Sequence, residues 1–177
     1  MIFMDKIQKI KGFSDVFSPR SDSYNLLEAR ARNIFSRYGF DELRLPLVEK
    51  TELFARSIGS ETDIVQKEMY TFPDRKGRSL SLRPEATAGV ARAYIEHKVY
   101  ASQEVSKFFT LGPMFRYERP QKGRLRQFQQ INAEILGSTA PETDAELLVM
   151  LNAFLLSAGF QKLRLEINSL GCPQCRP

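Results

Sequence analysis

Apolar residues near the start of the chain recur at helical spacing. Tyr24, Leu27, Ala31, Ile34, Phe35 and Tyr38 fall three and four positions apart and form one stripe of a helix. Ser21 or Asp22 is placed to cap its start, and Gly39 is a natural stop. Glu42 to Val48 reads as a strand interrupted by Pro46, which argues for an edge or a bulge. Thr51 to Ile58 reads as a short helix ending at Gly59. Glu68 to Phe72 and Ser79 to Arg83 predict a hairpin across the turn-rich stretch Pro73-Asp74-Arg75-Lys76-Gly77. Pro84 suits a first helical position, opening a helix through about His97. Phe108 to Glu118 and Arg126 to Leu136 predict two long strands around a basic loop. Glu142 to Ser157 predicts the last helix, and Lys162 to Ile167 the last strand. Hairpins and long connections, without regular βα alternation, favour an α+β fold with a mainly antiparallel sheet flanked by helices.

The two long strands carry the most informative pattern. Phe109, Leu111, Phe115 and Tyr117 share one parity, as do Ile131, Ala133 and Ile135 on the second strand. These make an apolar face. The opposite parity holds Thr110, Gly112, Met114, Arg116 and Glu118, then Phe128, Gln130, Asn132 and Glu134. A polar sheet face ordinarily just meets water. This one departs from the usual solvated mixture, because it combines Gln, Asn, a carboxylate and a lone aromatic on a rigid hairpin suited to holding a site. The connecting loop, with Arg116, Arg119, Lys122, Arg124 and Arg126, places five positive charges within eleven residues. Such a run is either a solvated loop or an anion clamp, since arginine forks bind phosphate oxygens in pairs. Phe128 beside it could stack a purine.

Composition narrows the classes. At 177 residues the chain has the size of one domain, at roughly 100–200 residues each, and it shows no internal repeat or linker. With 42% apolar residues, 13 Phe and 6 Tyr, whole-chain disorder is excluded. The longest apolar stretch, Leu147 to Phe160, is broken by Asn152 and Ser157, whereas a spanning helix needs about 20 residues; no membrane association is expected. Asp5, Lys6, Lys9 and Lys11 follow the apolar Met1 to Met4 without a cleavage site, so no signal peptide is expected. Two cysteines make no disulfide framework, and a reducing cytoplasm is the expected compartment. The net charge is +5, with 16 Arg against 10 Lys, a bias toward phosphate or carboxylate forks.

Taken together, the motifs resemble a known family. Phe115-Arg116-Tyr117-Glu118-Arg119-Pro120-Gln121-Lys122-Gly123-Arg124, continuing through Arg126-Gln127-Phe128-Gln129-Gln130 to Glu134, resembles motif 2 of class II aminoacyl-tRNA synthetases in its histidyl-tRNA synthetase form. Leu82-Arg83-Pro84-Glu85-Ala86-Thr87-Ala88 resembles that family's histidine-binding segment. Lys11-Gly12-Phe13-Ser14-Asp15 resembles its N-terminal signature. The helix before Gly39 and the strand through Pro46 fit motif 1, the dimer-forming element.

The resemblance implies a class II catalytic core that activates L-histidine with ATP and transfers it to the 3′ end of tRNA(His), working as a homodimer through motif 1. It implies Glu85, Thr87 and Gln130 around the substrate ammonium, and Glu134 on an imidazole N–H. Arg116 would bind both the α-phosphate and the substrate carboxylate, as the catalytic residue. Arg124 would bind the terminal phosphates, and Phe128 would stack adenine with Glu118 near its amino group. Mg²⁺ is expected with ATP, with no ligands assigned.

A second histidine-binding segment, motif 3 and an anticodon-binding domain are not found within these residues. Residues 1–177 are therefore expected to form a partial class II catalytic domain, inactive or impaired by itself. Cys172 and Cys175 form a CxxC without a second ligand pair, so zinc is not expected. His97, the sole histidine, reads as a helix-end charge. The alternative is the synthetase-like regulatory subunit of ATP phosphoribosyltransferase. The set Arg116, Arg124, Gln130 and Glu134 favours the synthetase, because a regulator has no need of a triphosphate clamp.

Overall fold

The computed structural model describes residues 7–59, 62 and 67–168. Among these residues the helices are α1 (Arg20–Arg37), α2 (Thr51–Ile58), α3 (Thr87–Glu96) and α4 (Pro141–Ser157). The strands are β1 (Asp41–Glu42), β2 (Val48–Lys50), β3 (Thr71–Pro73), β4 (Ser79–Leu82), β5 (Ser106–Phe115) and β6 (Gln127–Leu136). They form two three-stranded sheets, ordered β1-β5-β6 and β2-β4-β3. All pairs are antiparallel except β1 with β5. The α+β, mainly antiparallel expectation holds.

The apolar parity of the long hairpin builds the main core. Phe109, Leu111, Ile131, Ala133 and Ile135 pack beneath Ala31, Ile34 and Phe35 of α1 and Met150 and Phe154 of α4. Phe35 meets Phe109 edge-on at 5.4 Å between ring centroids and Phe154 at 5.7 Å, an arrangement aromatic quadrupoles favour. Covering one face with helices leaves the other parity free to carry the site.

Four local expectations need correction. Helix α1 starts at Arg20, ahead of both Ser21 and Asp22, with Pro19 at the cap position and no side-chain cap. Asp22 instead accepts a hydrogen bond from Ser18 Oγ at 2.6 Å and lies in the first turn, where a carboxylate complements the helix dipole. The strand expected from Glu42 to Val48 is divided: β1 joins one sheet and β2 the other. Pro46, which offers no N–H to a ladder, lies in the crossing between them. Helix α3 starts at Thr87, three residues after Pro84. The carboxylate of Glu85 accepts from the N–H groups of Thr87 and Ala88 at 2.6 and 2.9 Å, which satisfies two of the otherwise orphaned donors of the first turn. Residues 162–167 run without strand pairing, and Ile167 is 76% exposed; a strand needs a ladder partner, and none of the described residues supplies one. Among the described residues no helix is long and apolar enough to cross a membrane.

Candidate active site

The site is built on the polar parity of the hairpin. The ladder pairs Phe108 with Glu134, Thr110 with Asn132, Gly112 with Gln130 and Met114 with Phe128. It continues past the strands, where Arg116 N–H donates to the Arg126 carbonyl at 2.9 Å. Arg116, Phe128, Gln130, Asn132 and Glu134 therefore line one face, as their alternation requires.

Residues 83–88, delivered by β4, lie against this face. Arg83 is 4% exposed and has no carboxylate partner among the described residues. Its Nε donates to the Pro113 carbonyl at 3.0 Å and its Nη1 to the Leu45 carbonyl at 3.1 Å. Burial pushes its pKa down, because a low-dielectric setting disfavours the charged form. Its Nη2 lies 2.7 Å from the place a β-carbon on Gly112 would take, and Gly112 has φ +145°. Glycine is therefore required there for both space and backbone. Next along the chain, the Pro84 carbonyl accepts from Arg116 Nε at 3.0 Å. The Arg116 guanidinium stands 5.5 Å from the Phe128 ring centre, within cation–π range. Thr87 Oγ1 donates to Glu134 Oε1 at 2.5 Å, tying the start of α3 to β6. Glu85, Thr87 and Glu134 are thus brought together, and Arg116 is brought to Phe128.

Beyond the strands, Arg124 Nη1 reaches Glu118 at 3.3 Å. Glu118 is 17% exposed at its side chain and Arg124 65%, so the pair is partly open to water. A cleft of about 310 Å³ here is lined by Glu68, Tyr117, Glu118, Arg119, Gln121 and Arg124 among others.

Arg126 departs from the expected clamp. Its Nε donates to the Glu118 carbonyl at 3.1 Å and its Nη1 to the Lys11 carbonyl at 3.4 Å. Its guanidinium lies 4.0 Å from the Tyr117 ring centre. Its main-chain N–H bonds the Gly12 carbonyl at 2.9 Å. Of the five cations counted across this loop, this one is a strut holding the N-terminal signature to the base of the loop.

Three residues that sequence reasoning passed over as site members stand out. They are Arg83, and the facing pair Thr110 and Asn132, whose Oγ1 and Oδ1 atoms are buried without a hydrogen-bond partner among the described residues. The parity of the strands already placed the pair on the site face; Arg83 stands within the histidine-binding segment quoted above, but nothing in the sequence marked out a role of its own for it. His97 is the exposed residue that ends α3, as its helix-end reading requires. Cys172 and Cys175 lie outside the described residues. Among the described residues no three His, Cys, Asp or Glu side chains gather to hold a metal ion. Mg²⁺ carried by a triphosphate requires only one or two protein carboxylates.

The chain matches known proteins along nearly its whole length. The family model described as histidyl-tRNA synthetase matches residues 12–173. A histidine–tRNA ligase of Maridesulfovibrio salexigens is 66% identical over 98% of this chain and 42% of its own length. One of Geobacter sulfurreducens is 55% identical over 97% of this chain and 41% of its own. The chain thus spans about two fifths of the length of these relatives. The apo structure of S. aureus histidyl-tRNA synthetase superposes with a TM-score of 0.72 at 36% identity, covering 86% of this chain and 35% of that one. A Bacillus halodurans structure titled as an ATP phosphoribosyltransferase regulatory subunit/histidyl-tRNA synthetase gives a TM-score of 0.76 at 19% identity, over 90% of this chain and 40% of that one; this shows a shared fold. With a family match over nearly all its residues and relatives more than half identical, the chain belongs to the histidyl-tRNA synthetase family.

Proposed function

We propose that this chain supplies the ATP clamp and part of the amino-acid pocket of a histidine–tRNA ligase, within a class II catalytic domain of which residues 1–177 carry motifs 1 and 2. The substrates are L-histidine, ATP and tRNA(His). The observation that carries the reading is the single row Arg116, Phe128, Gln130, Glu134 on the β5–β6 face, with Thr87 at the start of α3 bonded to Glu134 and Glu85 bonded to the Thr87 N–H.

The chemistry asks for just such residues. A histidine carboxylate oxygen attacks the α-phosphorus of ATP in line, and pyrophosphate leaves. The nucleophile is already an anion, so no general base is needed. Catalysis is positioning together with stabilisation of charge on the phosphoryl oxygens. Arg116 serves both by contacting the carboxylate and the α-phosphate, its Nε held by Pro84 while its Nη groups bond no described residue. Phe128 stacks adenine, Glu118 receives its amino group, and Arg124 turns from Glu118 to the terminal phosphates. Glu85, Thr87 and Gln130 surround the ammonium. Glu134, with Oε1 occupied by Thr87, offers its second oxygen to an imidazole N–H. A site built on such a bond rejects analogues that lack the donor. Mg²⁺ accompanies the triphosphate. Dimerisation runs through α1, β1 and β2, and the setting is a reducing cytoplasm.

The test is histidine-dependent exchange of pyrophosphate into ATP by the protein carrying this chain. Exchange is expected with histidine and not with phenylalanine. Glu134→Ala should weaken histidine binding far more than ATP binding; equal losses in both would count against the assignment. A regulatory-subunit role is not favoured, because the relatives that match at 55–66% identity are named as histidine–tRNA ligases.

A further inference from the structure

Arg83 fastens two remote segments to each other. It bonds the crossing between β1 and β2 twice: its main-chain N–H donates to the Leu47 carbonyl at 2.9 Å and its Nη1 to the Leu45 carbonyl at 3.1 Å. It bonds the end of β5 twice as well: its Nε donates to the Pro113 carbonyl at 3.0 Å, and its own carbonyl accepts from the Phe115 N–H at 3.0 Å. Main chain and side chain thus each reach both segments. Burying a cation against carbonyls alone is costly, and packing by itself does not require it.

What the four bonds fix is the next residue. Pro84 is fully buried, and its ring holds φ at about −65°. With Arg83 fastened on both sides, the direction of the Pro84 carbonyl is set. That carbonyl accepts from Arg116 Nε at 3.0 Å, the one side-chain hydrogen bond Arg116 makes among the described residues. A guanidinium is planar and rigid, so a fixed partner at Nε sets where both Nη groups point.

We propose that Arg83 is a positioning residue for Arg116. By joining the β1–β2 crossing to β5 it aims the Pro84 carbonyl, and through that carbonyl the Arg116 guanidinium, at the place where the substrate carboxylate and the α-phosphate meet. The inference rests on the adenylation chemistry proposed above and deepens it. A buried residue then governs the rate through another, because a misplacement of about 1 Å can cost about 100-fold.

A double-mutant cycle separates positioning from mere support. Single-turnover formation of histidyl-adenylate is measured in the protein carrying this chain, with Arg83→Met made in the unaltered background and again beside Arg116→Ala. Rates are taken below the melting temperature of every variant, per molecule that binds ATP in calorimetry. In the unaltered background Arg83→Met should slow the step by about 10–100-fold. The Kd for ATP should stay within about threefold, because the aimed contact acts chiefly in the transition state. Beside Arg116→Ala the same substitution should change the rate by less than about twofold, because the group it aims is gone. Arg83→Lys keeps the charge but cannot copy the planar fork, and should slow the step as Arg83→Met does. Full rescue by lysine shows that charge alone is needed and overturns positioning. Equal slowing in both backgrounds marks a structural residue and also overturns it, as does an unchanged rate in Arg83→Met. Should Arg83→Met not fold, Arg83→Lys runs the same cycle. An Arg116→Ala protein that forms adenylate at the parent rate removes Arg116 from the chemistry, and the proposal falls with that reading.

Discussion

Replacing Gly12 by alanine isolates the strut that holds the base of the phosphate loop. Gly12 has φ +90°, and an added β-carbon would lie 2.7, 2.8 and 2.9 Å from Arg126 Cγ, Cδ and Cβ. These are the root atoms of the side chain, so Arg126 cannot yield by rotating its tip. The left-handed backbone alone costs about 1–2 kcal/mol for a residue with a β-carbon. Overlap in a packed site costs a further 1–3 kcal/mol or so, for a total of about 2–5 kcal/mol. At roughly 2–4 °C per kcal/mol for a chain of this size, the melting temperature should fall by about 4–20 °C. Gly77 supplies the control, with φ +77° and nothing within 4 Å of its missing β-carbon. Gly77→Ala bears the backbone cost only. Circular-dichroism melts of both variants, followed by ATP titration, measure the difference. Gly12→Ala should melt lower than Gly77→Ala and bind ATP more weakly, because Arg126 must leave the Glu118 and Lys11 carbonyls. Equal melting shifts, or ATP binding preserved in Gly12→Ala, would refute the strut.

Arg83→Met removes both bonds to the Leu45 and Pro113 carbonyls and should cost about 2–4 kcal/mol in a denaturant titration; Arg83→Lys should not restore it, because one ammonium cannot copy the planar fork. Arg116→Ala should slow histidyl-adenylate formation by about 10²–10³-fold in single-turnover assays, with a melting temperature close to that of the parent. Glu42 is held below the usual carboxylate range, first by its hydrogen bond from Arg32. Its contribution is therefore fully present above the ordinary glutamate pKa and is lost as pH falls through the depressed folded value. Arg32→Met should flatten this acid limb by less than about 1 kcal/mol, since Arg32 is 41% exposed and solvent screens the pair; melts across the acid range read it directly.

Alternation along residues 106–136 was enough to place the core face and the site face, because each strand's partner lies across one connecting loop and register follows from parity. The row from Arg116 to Glu134 was legible for that reason. The same local reading went astray where the deciding contact is remote. Arg126 counts as a ligand-facing cation until Lys11, 115 residues away, is seen to take its guanidinium. Arg83 is unremarkable until Leu45 and Pro113, 38 and 30 residues away, close around it. Pro84 satisfied the rule for a helix start, yet the Glu85 carboxylate set the start three residues later by bonding two backbone N–H groups. Alternation in residues 162–167 describes a segment able to be a strand, and ability is realised only beside another strand.

The contact between Glu118 and Arg124 has a consequence for what the loop admits. With the Glu118 carboxylate as its counterion, Arg124 would take up an anion by exchange on the proposed reading. A partly exposed pair of this kind is worth less than about 1 kcal/mol, so a triphosphate with several negative oxygens displaces Glu118 readily. A lone chloride or acetate would swap one single charge for another and gain little. On the proposed reading, the pair would favour a polyanion over a single charge by no more than this small margin.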